Sequence, residues 1–179
     1  HIDCFQTWSD SGKEAASYVT IEQNHCVNLN AQAANEVGQG FMMGYATHIT
    51  IRNNVIEAFR GINAINNSEY LEIVNNTFIG NPNTALLSYY PSGIGFTNSS
   101  NGLVLNNVFY NVIDTIIKAD TASKVGLVVT HNNAYRADGV ALSGLSTYTN
   151  NYWNTQPKMV DPGSGNYRLQ SSSPLVDKG

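Results

Sequence analysis

Polar and apolar positions along this chain fall into short runs, and run after run ends the same way. VTIEQNHC (19–26), ITIRNNVI (49–56), LEIVNNTF (71–78), LVLNNVF (103–109), VVTHNNAY (128–135) and TYTNNYW (147–153) all follow one pattern. Alternating or apolar residues lead to a polar pair ending in Asn, then one spacer, then an apolar residue. The second Asn falls at Asn24, Asn54, Asn76, Asn107, Asn133 and Asn151, at spacings of 30, 22, 31, 26 and 18 residues. Its apolar partner two positions on is Cys26, Ile56, Phe78, Phe109, Tyr135 or Trp153. Runs this short with a two-residue period predict strands. Helical repeats hold their unit length too tightly for such spacings, whereas a coil of short parallel strands expels extra residues as loops.

One turn of the coil then divides into three strands. In the third turn these are GINAIN (61–66), YLEIV (70–74) and TFIGN (77–81), with the Asn pair at the corner between the second and third. Asn tolerates the left-handed bend of such a corner, and its amide can hydrogen-bond to the Asn of the next rung. The other first strands are DCFQTW (3–8), GFMMGY (40–45), GIGFTN (93–98) and TIIKAD (115–120). The expected fold is all-β, a parallel β-helix of about six to seven rungs with an Asn-rich corner ladder. Residues 1–158 form the rungs, and 159–179 a C-terminal closing segment of the same domain. Insertions at 9–18, 31–39 and 81–92 flank the first strands and are expected to wall a groove on that sheet.

Composition narrows the function. Of 179 residues only 12% are charged, the net charge is −4, and lysines and arginines nowhere cluster. Nucleic acid is excluded as a partner, because phosphate neutralisation needs clustered cations. No apolar run approaches the roughly 18 residues of a membrane helix, so no membrane partner is expected. Cys4 and Cys26 are the only cysteines and form no metal motif. Strand alternation turns Cys4 outward and Cys26 inward. A bond between them would have to join different faces of adjacent rungs, so free thiols are expected.

The repeated xVxIxNNxF pattern resembles the right-handed parallel β-helix proteins of the pectate-lyase-like superfamily. The tail MVDPGSGNYRLQSSSPLVDKG (159–179) is similar to the DP…GDYRL…SPxxDxG ending of many secreted bacterial β-helix proteins. The opening HIDCFQTW (1–8) resembles the HxDG[IF]Q segment on the first strand of many uronan-acting or uncharacterised β-helix proteins, with Cys4 in place of the usual Gly. These resemblances imply a secreted, carbohydrate-active chain. They also imply a C-terminal part of something longer, whose open solenoid end is covered by a missing N-terminal region or by self-association.

Aligning the first strands puts Phe5, Phe41, Ile62 and Ile94 in one inward column. Cys4, Gln6, Trp8, Met42, Gly44, Asn63, Ile65, Gly95 and Thr97 then face out. Asp3, Gln39, Arg60 and Ser92 share a column, with Asp3 and Arg60 about 10 Å apart at the rung spacing. An acidic polysaccharide along this groove would find aromatic platforms in Trp8 and Tyr45 and hydrogen-bonding amides in Gln6 and Asn63. Removal of a uronate C5 proton needs a base and a carboxylate neutraliser. His1 or Lys13 fits the first role and Arg60 the second, with Asp3 orienting His1 or binding calcium, the one candidate cofactor. Plainer roles are an end-frayed His1, a corner-capping Asp3, an Arg60 paired to Glu57, and a Trp8 buried under residues 9–18. Two functions stay open: a lyase- or epimerase-like enzyme, and a non-catalytic adhesin- or tailspike-like module.

Overall fold

The computed structural model describes residues 2–9, 13, 15–28, 38–81, 92–143 and 145–178. Rung one holds β1 (Ile2–Thr7), β2 (Ala16–Ser17), β3 (Thr20–Glu22) and β4 (His25–Asn28). Rung two holds β5 (Gly38–Gly44), β6 (Ala46–Arg52) and β7 (Val55–Ala58), and rung three β8 (Arg60–Ile65), β9 (Glu69–Val74) and β10 (Thr77–Ile79). Rung four comprises β11 (Ser92–Thr97), β12 (Leu103–Leu105) and β13 (Val108–Tyr110), and rung five β14 (Thr115–Ala119), β15 (Val128–Thr130) and β16 (Asn133–Tyr135). A sixth rung contributes β17 (Tyr152–Trp153) alone, and an antiparallel pair, β18 (Met159–Asp161) and β19 (Asn166–Leu169), ends the chain. Equivalent strands of successive rungs pair in parallel, giving three sheets around one core. This is the expected parallel β-helix. Most of the three insertions lies outside the described residues.

The core is built of columns. The first-strand sheet stacks Phe5, Phe41, Ile62, Ile94 and Ile117 in the predicted register. The second-strand sheet adds Ile21, Ile51, Ile73, Val104 and Val129. The third adds Cys26, Ile56, Phe78, Phe109, Ala134 and Trp153, with the Phe78 and Phe109 rings stacked at 4.6 Å. Leu142, Leu145 and Tyr148 pack against the core together with Trp153 of the last rung. At the other end Phe5 is 36% exposed, beside Phe41 in an edge contact.

The Asn corner divides its labour between two residues. The first of each pair (Gln23, Asn53, Asn75, Asn106, His131, Asn150) takes the left-handed conformation, with φ between 55° and 58°. The second forms the ladder: its backbone N and side-chain Nδ2 both donate to the Oδ1 of the Asn one rung on. The chain of acceptors runs Asn54, Asn76, Asn107, Asn132 and Asn151. Each Nδ2 from Asn54 on also reaches a carbonyl of the rung before, as Asn107 reaches Ile73 at 2.8 Å. Buried amides are thereby satisfied without water. In rung five the ladder residue is Asn132, not the expected Asn133, and the inward residue is Ala134, not Tyr135. His131 takes the left-handed place there, so the repeat begins one residue earlier than the NN pair suggests. Asn133 donates to the Tyr152 and Thr155 carbonyls, and its buried Oδ1 has no hydrogen-bond partner.

The cysteines depart from expectation most clearly. Cys4 and Cys26 form a disulfide with their Cα atoms 6.0 Å apart. Cys4 stands in the column of Gly40, Gly61 and Gly93, which faces inward, not outward. An added Cβ there would lie 2.6 Å from Ile56 at Gly40, 2.6 Å from Phe78 at Gly61 and 2.8 Å from Phe109 at Gly93. Each of these rungs thus presses a glycine on the first strand against a large side chain on the third. Rung one replaces that contact with a covalent bond between the same two positions. Alternation fails there because two consecutive positions, Cys4 and Phe5, face the core as the strand leaves the corner.

A second left-handed column crosses the second-strand sheet: Tyr18, His48, Tyr70, Asn101 and Gly126, with φ of 55°, 54°, 54°, 57° and 67°. Register places them side by side. For bulky residues this conformation costs on the order of 1 kcal/mol or more each. The tail runs back along the third-strand sheet. Tyr167 hydrogen-bonds Glu57, and burial together with that contact pushes its phenol up to about 12. Leu169 and Leu175 line a cleft with Asn76 and Val108.

Candidate functional site

Because inward positions are fixed by the core, chemistry falls to the outward columns of the first-strand sheet. One column runs Asp3, Gln39, Arg60, Ser92, Thr115, and the next runs Gln6, Met42, Asn63, Gly95, Lys118. The register predicted for Asp3, Gln39, Arg60 and Ser92 holds residue for residue. The face is open only in its upper half. Met42 and Gly44 keep the outward columns expected of them, but they and Gln39 are buried, so the second rung offers no accessible floor.

From the third rung to the fifth the face opens into a cleft of about 230 Å³ lined by Arg60, Asn63, Ser92, Gly95, Thr97, Asp114, Thr115 and Lys118. Its floor is cleared by Gly95, whose missing side chain would sit 3.1 Å from Asn63 Oδ1. Asn63 Nδ2 donates to Gln39 Oε1 at 3.2 Å. With its amide nitrogen held to one side, its carbonyl oxygen is presented beside the Gly95 floor. Burial depresses the Arg60 guanidinium below its ordinary value, but arginine remains a cation in protein environments. Lys118 and Asp114 are exposed at the opposite wall. Among the described lining residues two cations stand against one carboxylate, an electropositive set on a chain of net charge −4.

Of the residues singled out from the sequence, Arg60 and Asn63 meet in this cleft. Asp3 and Gln6 share their columns two rungs lower, beyond the buried Gln39 and Met42. Burial pushes the Asp3 carboxyl above its usual range. Trp8 is 47% exposed, so it is not core. It meets Tyr45 edge-on at 5.8 Å and covers Gly44 at the strand ends. Lys13 is exposed between β1 and β2 and does not line the cleft, and His1 lies outside the described residues. Glu57, the expected surface partner of Arg60, contacts His25 Nε2 at 2.5 Å and Tyr167 instead.

Sequence reasoning missed Lys118, Asp114, Thr115 and the role of Gly95. The signal was present for Lys118. TIIKAD aligns with the other first strands, and carrying the Gln6–Asn63–Gly95 column one rung further lands on it. Among the described residues, no three His, Cys, Asp or Glu side chains gather as a metal site, and no helix is long and apolar enough to cross a membrane. Residues 8–155 match the family model described as the right handed beta helix region. No curated protein and no solved structure matches the chain significantly.

Proposed function

Since the chain belongs to the right-handed β-helix family, we propose that it holds an acidic polysaccharide against the outer face of its first-strand sheet, at the Arg60–Lys118 cleft. The observation that carries this reading is two cations and an aimed amide over a floor cleared by Gly95. Arg60 suits a uronate carboxylate, because its planar fork donates two parallel hydrogen bonds. Lys118 supplies a point charge about two rungs, or roughly 10 Å, further along the axis. Asn63 Oδ1, Ser92 and Thr115 match sugar hydroxyls. The disulfide supports an oxidising, extracellular setting.

Lyase- or epimerase-like turnover would need a group to take the C5 proton while Arg60 stabilises the carboxylate on which charge develops. Among the described residues, Asp114 is the one carboxylate lining the cleft and is the candidate for that step. A non-catalytic module would use the same cations for binding alone. Titration of the full chain with uronate hexasaccharides, with and without calcium, separates these readings. Binding that weakens about tenfold or more in Arg60→Ala and in Lys118→Ala, and that fades with added salt, is expected. New ultraviolet absorbance from an unsaturated uronate, lost in Asp114→Asn, would identify a lyase. Uronate binding left unchanged in both Arg60→Ala and Lys118→Ala would overturn the proposal.

A further inference from the structure

The second-strand sheet carries an exposed aromatic staircase that the first-strand cleft does not use. Tyr18, His48 and Tyr70 stack on three successive rungs, at 4.7 Å and 16° for the first pair and 4.8 Å and 22° for the second. These separations are those of offset stacking, which leaves a strip of each ring uncovered. Tyr18 is 79% exposed and Tyr70 48%. All three residues hold the left-handed backbone conformation, which tyrosine rarely adopts. Asn101 and Gly126 continue the same column with residues suited to it, so the fold does not require rings at this place.

Beside the staircase runs a trough of about 340 Å³, with Thr50, Glu72 and Leu103 opposite the rings and Asn101 at the upper end. Among the described residues no lysine or arginine lines it, and the nearby Arg52 is paired with Glu22 at 2.6 Å. Glu72 therefore leaves the trough electronegative, the reverse of the first-strand cleft.

We propose that this trough is a second saccharide site, and that it takes an uncharged chain. Ring strips along one wall suit the apolar C–H faces of pyranoses. Glu72, Thr50 and Asn101 suit their hydroxyls, and the Glu72 carboxylate repels uronates. Above Tyr70 the next rung presents Asn101 in place of a ring, so a sugar can extend the stack over that amide. The protein then holds two polymers of different charge on two faces of one solenoid.

Titration of the full chain with uncharged hexasaccharides (cellohexaose, mannohexaose and a galactan hexamer), followed by heteronuclear NMR, tests this. At least one is expected to shift resonances of residues 18, 48, 70 and 101, and a hexauronate should not displace it. Tyr70→Asn gives this rung the residue that rung four already carries. It is expected to weaken that binding about tenfold or more while the melting temperature stays level or rises. The proposal falls if none of the three sugars binds, if a hexauronate competes, or if Tyr70→Asn binds as tightly as the parent. It falls equally if Tyr70→Asn melts several degrees lower, because the rings would then be a structural staple.

Discussion

The corner and inner columns of this solenoid differ in kind from the outer columns of its first-strand sheet. At the corner, rung after rung places an Asn amide in the same pair of bonds to its neighbour. Inside, Gly40, Gly61 and Gly93 meet Ile56, Phe78 and Phe109 in one contact made three times. On the outer face the columns read Asp, Gln, Arg, Ser, Thr and Gln, Met, Asn, Gly, Lys. No position there repeats. A repeated residue in a β-helix answers to the stacking of rungs, and a varied one is released from it. Function is therefore to be sought where the pattern breaks down.

The sharpest way to break the corner is Asn107→Leu. Asn107 Oδ1 accepts from Asn76 N and Nδ2, while its own Nδ2 serves the Ile73 and Leu105 carbonyls and Asn132 Oδ1. Leucine leaves the buried Asn76 N without its acceptor and removes one bond each from Asn76 Nδ2, the Ile73 and Leu105 carbonyls and Asn132 Oδ1. A loss of about 3 kcal/mol in denaturant unfolding is expected. The same change at Asn24, exposed in rung one, should cost about 1 kcal/mol or less, because water replaces the lost partners. Equal losses at the two sites would mean that the ladder is no cooperative device.

The disulfide ranks next. Cys4→Ala with Cys26→Ala opens a loop of sequence separation 22 and should cost about 2–4 kcal/mol. If the bond substitutes for the glycine contact of later rungs, Cys4→Gly with Cys26→Ile should be the more stable of the two double variants. Thermal melts of both, beside the reduced parent, decide the matter. A Gly/Ile variant no better than the Ala pair would show that rung one is stapled for another reason.

The fold was legible in the sequence for the reason that makes the corner fragile. A contact made five times leaves six copies of its residue, and the first-strand register followed from them. What failed were single-copy departures. Asn133 was chosen over Asn132 because HNN offers two asparagines, and only the left-handed turn at His131 decides between them. Cys4 was turned outward by strict alternation, although the glycines aligned with it already marked an inward column too narrow for a side chain. Two residues of the cleft, Arg60 and Asn63, were singled out through charge and register. Lys118 and Asp114 were missed because attention stayed on the HIDCFQTW strand, and burial of Gln39 and Met42 closes the face between that strand and the open cleft.

The smallest expected effects come from two glycines on one strand. Gly93 and Gly95 both belong to β11, two residues apart, yet they serve opposite regions. A Cβ on Gly93 would lie 2.6 Å from the Ile116 carbonyl oxygen and 2.8 Å from the Phe109 ring. Neither neighbour can withdraw without shifting a packed rung, so Gly93→Ala should cost about 1–3 kcal/mol. A Cβ on Gly95 would meet only Asn63 Oδ1, at 3.1 Å, a contact that a small turn of the amide relieves. Gly95→Ala should leave stability within about 0.5 kcal/mol of the parent, because a strand residue gains from losing glycine's backbone freedom. Its methyl group would nevertheless fill the floor between Asn63 and Lys118, and uronate affinity should fall severalfold. Unfolding and binding measured on both variants set the two regions against each other on a single strand. A Gly95→Ala chain that unfolds early and binds normally would place this glycine with the repeating columns and leave the cleft without its floor.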